Sequence, residues 1–120
     1  MDGLTQHIVE LPSGCLEFCD VGFGIPVLYF HGTGAGNVAA VLLEQRLITS
    51  GCRLIIPNRP GYGHTPLGIR GSAAHCSQLA VELLDHLQLR RVAVIGTSGG
   101  GMPATAFARQ NPARTALLIL

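Results

Sequence analysis

The chain has 120 residues, of which 48% are hydrophobic and 12% are charged, and its formal net charge is +1. This length suits one domain with a hydrophobic core, and the composition excludes a disordered chain. The near-neutral charge does not favour a nucleic-acid partner. No apolar run reaches the roughly 18 residues of a membrane span, and the amino-terminal residues lack the basic and apolar regions of a secretory signal. We therefore predict a cytoplasmic protein with no nucleic-acid or membrane partner.

The cysteines give no indication of a disulfide framework or a metal centre. Without a secretory signal, the four of them are expected to stay reduced. Their spacing is not that of zinc ligands, and small buried apolar side chains are the better interpretation of Cys15, Cys19, Cys52 and Cys76. The sequence thus predicts no metal and no cofactor.

The first predicted element is an antiparallel hairpin. Residues 7–11 and 15–20 alternate by twos around Pro12-Ser13-Gly14. Residues 26–30 then form a continuous apolar run, which is typical of a strand covered on both faces. This strand ends in a glycine-rich loop over residues 31–37.

A helix and a second buried strand follow. Residues 38–49 have near-helical apolar spacing, and Ser50-Gly51 is a plausible helix end. Residues 53–57 predict the next strand, which leads into a stretch rich in turn-forming residues over 58–66.

The clearest helix begins after Ser72, its predicted N-cap. Its apolar stripe consists of Cys76, Leu79, Ala80, Leu83, Leu84 and Leu87. Residues 92–95 predict a strand, 99–110 a helix that tolerates Pro103 in its first turn, and 116–120 a further strand.

A hairpin followed by alternating strands and helices indicates an α/β fold. It predicts a mostly parallel sheet with an N-terminal antiparallel hairpin and helices on both faces. Loops at the carboxyl ends of parallel strands meet at one edge of the sheet. We therefore expect His31-Gly32-Thr33, Arg59–Thr65 and Ser98 to converge there.

The strand at 92–95 runs directly into Gly96-Thr97-Ser98-Gly99-Gly100. In a strand–turn–helix of this kind the central residue has a strained backbone and an exposed side chain, which makes Ser98 a candidate nucleophile. Gly96 and Gly100 leave room for neighbouring backbone. The amide of Gly99 is expected at a helix N-terminus, where negative charge is favoured.

These motifs resemble the α/β-hydrolase fold family, specifically its amino-terminal portion. The resemblance is carried by His31-Gly32, Arg59-Pro60-Gly61-Tyr62-Gly63 and Gly96-Thr97-Ser98-Gly99-Gly100 in that order, and also by Leu83-Leu84-Asp85-His86-Leu87. It covers nearly the whole chain. It implies that residues 1–120 form a single, incomplete hydrolase domain that stops after its sixth strand begins.

The resemblance also implies a serine-hydrolase chemistry on a small-molecule acyl substrate. Ser98 would attack an acyl carbonyl, and the backbone amides of Thr33 and Gly99 would form an oxyanion hole. His31, Gly32, Gly96 and Gly100 would be structural residues of the loops. A serine nucleophile suits hydrolysis of an ester (esterase-like), thioester, amide or carbon–carbon bond, or acyl transfer.

The expected catalytic acid and base are missing from the chain. In this family both follow the serine, yet residues 99–120 contain no Asp, Glu or His. His31 is expected to hydrogen-bond its loop, and His64 lies on the correct side of the sheet but in a turn. His7, His75 and His86 are expected on a strand and a helix surface. We therefore expect the isolated chain to be inactive and interpret it as the first part of a longer enzyme.

Two other functions remain open from the sequence. A hydrolase-like shell without catalysis would be a binding module and would also lack the base. The run Gly32-Thr33-Gly34-Ala35-Gly36 partly matches a dinucleotide-binding fingerprint, although Asn37 stands where that fingerprint needs glycine. A P-loop is excluded because no Gly-Lys-Ser/Thr occurs. Arg59 and Tyr62 are expected to brace their loop rather than contact substrate.

Overall fold

A mixed β-sheet organises the chain in the computed structural model, which describes residues 6–67 and 72–120. Residues 1–5 and 68–71 of the predicted domain lie outside the described residues. The strands of the described part are β1 Gln6–Leu11, β2 Gly14–Val21, β3 Ile25–Phe30, β4 Cys52–Pro57, β5 Val92–Gly96 and β6 Thr115–Ile119. Their order across the sheet is β1-β2-β4-β3-β5-β6.

The predicted hairpin and parallel sheet are confirmed. β1 pairs with β2 in antiparallel register, and β2 also runs antiparallel to β4. The pairs β3–β4, β3–β5 and β5–β6 are parallel. The carboxyl ends of β3, β4 and β5 therefore lie at one edge, which is where the loops singled out from the sequence begin.

Helices cover both faces of the sheet, as predicted. They are α1 Gly36–Leu43, α2 Gln45–Thr49, α3 Ala73–His86 and α4 Gly101–Gln110. The central strand β3 shows the division, since successive strand residues point to opposite faces. Val27 and Tyr29 pack in a cluster with Ala40 and Val41 of α1. Leu28 and Phe30 pack on the other face against α3 and α4.

The helix predicted over 38–49 is two helices, so that prediction is wrong in its continuity. Glu44, with φ −105° and ψ 28°, leaves the helical region between α1 and α2. Its amide still donates to the carbonyl of Ala40, and the amide of Leu47 donates to Glu44. After this break, Leu47 and Ile48 pack against the same apolar cluster as Ala40 and Val41. Burial of these two side chains accounts for the change in helix direction at Glu44.

The helix predicted to begin at residue 99 also differs at its start. Residues Ser98–Gly100 form a tight 3₁₀ turn, and α4 begins only at Gly101. By contrast, α3 begins as predicted after Ser72, whose Oγ accepts a hydrogen bond from the main-chain nitrogen of His75 at 3.2 Å. Its predicted apolar stripe is buried from Cys76 to Leu84, while Leu87 is half-buried.

The turn after β5 passes very close to neighbouring backbone. A Cβ at Gly100 would overlap the carbonyl of Phe30 and lie 2.7 Å from that of His31. A Cβ at Gly96 would lie 2.6 Å from the Ala104 side chain and from the carbonyl of Gly100. Backbone carbonyls cannot rotate away as a side chain can, so glycine is required here to seat the turn against β3.

We predict that Gly100→Ala destabilises the fold by about 1–3 kcal/mol, the usual cost of overpacking. Gly101→Ala is the matched control, because a Cβ there would meet only a Leu120 methyl group at 3.8 Å. Gly101 is the first residue of α4 and its φ of −64° suits alanine, so this change should be neutral or stabilising by up to about 1 kcal/mol. Urea unfolding followed by circular dichroism measures both, and equal stability of the two variants would contradict the steric explanation.

Candidate functional site

Three loops meet at the carboxyl edge of the sheet. The amide of Thr97 donates to the carbonyl of Phe30 at 3.1 Å, which ties the β5 turn to the end of β3. The amide of Gly34 donates to the Tyr62 hydroxyl at 2.6 Å, which ties the loop after β3 to the loop after β4. The predicted convergence of these loops is therefore present in the structure.

Ser98 has a strained backbone and an exposed side chain. Its φ is 52°, in the left-handed region that residues other than glycine rarely adopt. A Cβ at Gly32 would lie 3.6 Å from the Cβ of Ser98, so the serine stands directly beside the loop after β3. Its side chain borders an open cavity of about 540 Å³ that Met102 and Leu120 also line. The hydroxyl thus faces accessible space rather than the packed interior.

Two main-chain amides flank this serine without a partner among the described residues. A Cβ at Gly99 would lie 3.2 Å from the main-chain nitrogen of Thr33 and would overlap its hydroxyl, so the two residues are in contact. Two amides next to them do have acceptors, since Gly100 donates to the carbonyl of Thr97 and Gly34 to the hydroxyl of Tyr62. No described residue accepts a hydrogen bond from the amide of Thr33 or Gly99.

A buried tyrosine supports the turn from below. The hydroxyls of Tyr29 and Thr97 lie 2.6 Å apart, and the Tyr29 side chain is buried in the sheet core. Burial raises the pKa of Tyr29, and the hydrogen bond with Thr97 acts in the opposite direction. The phenol therefore stays protonated and neutral at this position. Sequence reasoning missed this contact, because two neighbouring strands in space bring together residues that are far apart in the chain.

His31 is buried, and both of its ring nitrogens are used. Nε2 lies 3.0 Å from the main-chain nitrogen of Arg59, which can only donate. Nδ1 lies 2.9 Å from the carbonyl of Gly32, which can only accept. The ring is therefore the neutral tautomer with its proton on Nδ1. In this arrangement it cannot take a proton from Ser98 without losing its bond to Arg59.

The electrostatics agree with a neutral ring. Burial lowers the pKa of His31, and the nearby positive charge of Arg59 lowers it further, against the opposing effect of the Gly32 carbonyl. The edge of the ring faces Tyr62, with centroids 4.5 Å apart. Arg59 Nη1 donates to the carbonyl of His31 at 3.0 Å, and its guanidinium lies 5.9 Å from the centre of the Tyr62 ring. Arg59 and Tyr62 therefore hold the His31 loop in place.

A second feature that sequence reasoning missed is a buried carboxylate on β2. Glu17 accepts hydrogen bonds from Asn58 Nδ2 at 2.7 Å and from the main-chain nitrogen of His64 at 3.1 Å. The Nδ1 atom of His64 lies 2.7 Å from its other oxygen. Burial alone would raise the pKa of Glu17, but the hydrogen bonds from His64 and Asn58 outweigh burial and lower it. Glu17 thus anchors the loop after β4, and His64 is held over β2.

Asn58 and Asn37 extend this network toward the loop after β3. The side-chain oxygen of Asn58 accepts a hydrogen bond from the main-chain nitrogen of Asn37 at 2.8 Å. Asn37 Nδ2 donates to the carbonyl of Ile56 at 3.2 Å. One indication of this network is present in the sequence, because Asn58 directly follows a buried strand. Polar side chains at such positions often form hydrogen bonds with nearby loops.

The other histidines of the described residues lie on β1 and α3. His7 stacks on Phe18 of β2 at 5.1 Å between ring centroids. His75 and His86 lie in the first and last turns of α3. In the described part of the chain no three His, Cys, Asp or Glu side chains are grouped as a metal site would need. The helices of residues 6–67 and 72–120 include none that is long and apolar enough to cross a membrane. The cytoplasmic location stays a prediction.

Comparisons with known proteins agree with this architecture. Residues 25–120 match the family model described as the alpha/beta hydrolase fold. A solved alpha/beta hydrolase fold protein from Nakamurella multipartita superposes with a TM-score of 0.90 at 33% identity, over 97% of this chain and 40% of that one. An epoxide hydrolase of Vigna radiata has a TM-score of 0.83 at 22% identity, over 97% of this chain and 39% of that one.

Similar curated proteins are hydrolases. The chain is 39% identical over 112 residues to the uncharacterized hydrolase YcgS of Bacillus subtilis. It is 32% identical over 129 residues to a 2-hydroxy-6-oxononadienedioate/2-hydroxy-6-oxononatrienedioate hydrolase of Dechloromonas aromatica. These matches cover 93% and 99% of this chain but 39% and 45% of the relatives' length.

The chain belongs to the alpha/beta hydrolase fold family. This membership agrees with the sheet order, with the helices on both faces and with the turn at Ser98–Gly100, which we call the serine turn. It replaces the dinucleotide-binding interpretation. The polar loops described above are therefore the loops of a hydrolase-type fold.

We predict that His31→Gln flattens the pH dependence of stability in mildly acidic solution. Because the folded pKa of His31 is lowered, the unfolded chain takes up a proton that the folded chain does not as the pH falls below about 6.5. Wild-type stability should therefore decrease there, while the glutamine, whose oxygen can still accept from Arg59, does not titrate. Urea unfolding at several pH values measures this, and parallel curves for both proteins would contradict it.

We also predict that Glu17→Gln lowers stability at neutral pH by about 1–3 kcal/mol, because buried donors lose a charged acceptor. The folded pKa of Glu17 is lowered, so its contribution is complete above the unfolded value of about 4.3 and is lost as the pH falls through the folded value. The difference between wild type and variant should therefore shrink in acid. Asp20→Asn, which removes the partner of Arg53 at a half-buried surface position, is the control for loss of one charge.

Proposed function

We propose that this chain carries the nucleophile and oxyanion-binding half of a serine hydrolase that acts on acyl bonds. The observation that supports this most directly is the exposed Ser98, at φ 52°, beside the two unpartnered amides of Thr33 and Gly99. A carbonyl carbon attacked by Ser98 Oγ would develop negative charge on its oxygen. Preorganised N–H groups stabilise such charge, and one donor is typically worth about 10²–10³ in rate.

The substrate class follows from the nucleophile. A serine ester with the acyl group is a hydrolysable intermediate, so ester, thioester, amide and activated carbon–carbon bonds next to a carbonyl are all accessible reactions. The names of the curated relatives describe hydrolases of 2-hydroxy-6-oxo acids, which are small carbonyl compounds of this kind. The similarity to epoxide hydrolases lies at 22% identity and supports the fold only.

The proton acceptor for Ser98 does not come from the described residues. His31 uses both ring nitrogens, and His64 is held on Glu17 at β2, three positions across the sheet from β5. With neighbouring strands about 4.8 Å apart, that separation is far beyond hydrogen-bond reach. We therefore propose that the described residues supply neither the base nor its orienting acid, and we expect the isolated chain to lack turnover.

A non-catalytic binding module is the second candidate. The same absence of a base favours it, because a shell that retains the cavity and the amides could bind a carbonyl compound without cleaving it. The two candidates differ in whether the Ser98 hydroxyl reacts with an activated acyl group.

We expect stoichiometric acylation of Ser98 by 4-nitrophenyl acetate at mildly alkaline pH. The Oγ–carbon bond forms, the bond to nitrophenolate breaks, and hydroxide takes up the serine proton. The rate should exceed that of N-acetylserinamide by on the order of 10³, the residual catalysis left by an oxyanion hole without a base. Intact-mass spectrometry with peptide mapping measures the adduct. The chain has no lysine, since its eight basic residues are all arginine, so competing acylation is limited.

Two variants control this experiment. Ser98→Ala should lose the adduct, and Ser50→Ala, which removes an exposed serine at the end of α2, should keep it. The acyl-serine should accumulate, because its hydrolysis also needs the base. Acylation of Ser98 no faster than of N-acetylserinamide would favour the binding module, and strong fluorophosphonate labelling that depends on Ser98 would show that a base is present after all.

A further inference from the structure

We propose that the cavity between Arg59 and Gly99 is a substrate subsite for a carboxylate-bearing group, with Arg59 as the residue that binds the carboxylate. This inference rests on the proposed serine hydrolase function and names the chemistry of its substrate. The substrate would be an acyl compound with an anionic substituent on one side of the scissile bond.

The cavity has a volume of about 390 Å³ and lies beside the serine turn. One wall is formed by the turn and the start of α4, including Gly99 and Met102. The facing wall is formed by Arg59 and Pro60 after β4 and by the first residues of α3. A group bound here would be attached to a carbonyl whose oxygen reaches the amide of Gly99. Ser98 borders the adjoining cavity of about 540 Å³, and Met102 lines both. The space beside Arg59 is therefore placed to hold a group attached to the reacting carbonyl.

Arg59 has donors to spare at this cavity. A guanidinium carries five N–H donors, and the described residues accept from only one of them, the bond from Nη1 to the carbonyl of His31. The ion pairs of the described residues use Arg53 and Arg114, and none uses Arg59. No described carboxylate thus neutralises this arginine. A planar fork with free donors matches a carboxylate in charge and in geometry.

The charge of Arg59 acts on the cavity itself. Burial raises the pKa of the Cys76 thiol, which lines the same cavity, to about 12, and the positive charge of Arg59 opposes that rise. Among the described residues that line this space, none is acidic. Arg59 is thus the one charged side chain among the described lining residues, and a neutral apolar group bound here would leave it without a counter-charge.

The experiment compares the acylation of Ser98 by anionic and neutral esters of equal chain length. On the acyl side the pair is mono-4-nitrophenyl adipate and 4-nitrophenyl hexanoate. On the leaving-group side the pair is 4-carboxyphenyl acetate and 4-cyanophenyl acetate. The measured quantity is the ratio of anionic to neutral acylation rates, determined by intact-mass spectrometry, for wild type and for Arg59→Met, Arg59→Lys and Arg46→Met.

We expect Arg59→Met to lower this ratio about tenfold for one of the two pairs, the effect of one charge-assisted hydrogen bond. Arg59→Lys should restore part of it. Arg46→Met, on the exposed surface of α2, removes the same charge and should leave the ratio unchanged. Damage to the His31 loop would slow both members of a pair equally, so the ratio separates binding from folding.

Two outcomes overturn the inference while the proposed function stands. If Ser98 is acylated but the ratio is the same in wild type and Arg59→Met for both pairs, the cavity does not bind a carboxylate through Arg59. If Arg46→Met lowers the ratio as much, the preference is a general effect of charge. Failure of all four esters to acylate Ser98 would instead count against the serine hydrolase function itself.

Discussion

The close approach of the serine turn to the end of β3 is the constraint on which the site depends. Only a residue without a Cβ can stand at position 100, against the carbonyls of Phe30 and His31. At this contact the chain makes a tight 3₁₀ turn before α4, and Ser98 lies in the left-handed region. Strain of this kind persists only where surrounding packing enforces it. The exposed hydroxyl and the amide of Gly99 belong to the turn that packs at this contact.

A buried polar layer holds the remaining loops against that turn. His31 connects the loops after β3 and β4 through Arg59. Glu17 and Asn58 connect the loop after β4 to β2 and, through Asn37, to the start of α1. Each of these groups has its hydrogen-bond partners inside the described part of the protein, which is the condition under which a buried polar network fixes one conformation. The conformation of the site loops is therefore held by buried hydrogen bonds beneath them.

The hydrogen bonds of this layer distinguish polar residues with a structural role from those that are free to bind a ligand. His31 is committed to structure by its two bonds, so it is unavailable as a base, whereas Arg59 uses one donor for structure and presents the others to a cavity. No described residue forms a hydrogen bond with the Ser98 side chain or with the amides of Thr33 and Gly99. Unpartnered groups next to open space are where an external ligand gains the most, and they define the chemistry that we propose.

The sequence by itself determined the fold class, the order of the elements and the position of the serine turn. Apolar runs, helical stripes and glycine-bearing motifs are local signals, and they placed β3, β5, α3 and the Ser98 turn within a residue or two of their observed bounds. Only the tertiary structure decided the break at Glu44, the burial of Glu17 and the contact between Tyr29 and Thr97. Each of these features depends on which strands become neighbours and on which face of a helix is buried. Such contacts join residues far apart in the chain, so local sequence patterns do not reveal them.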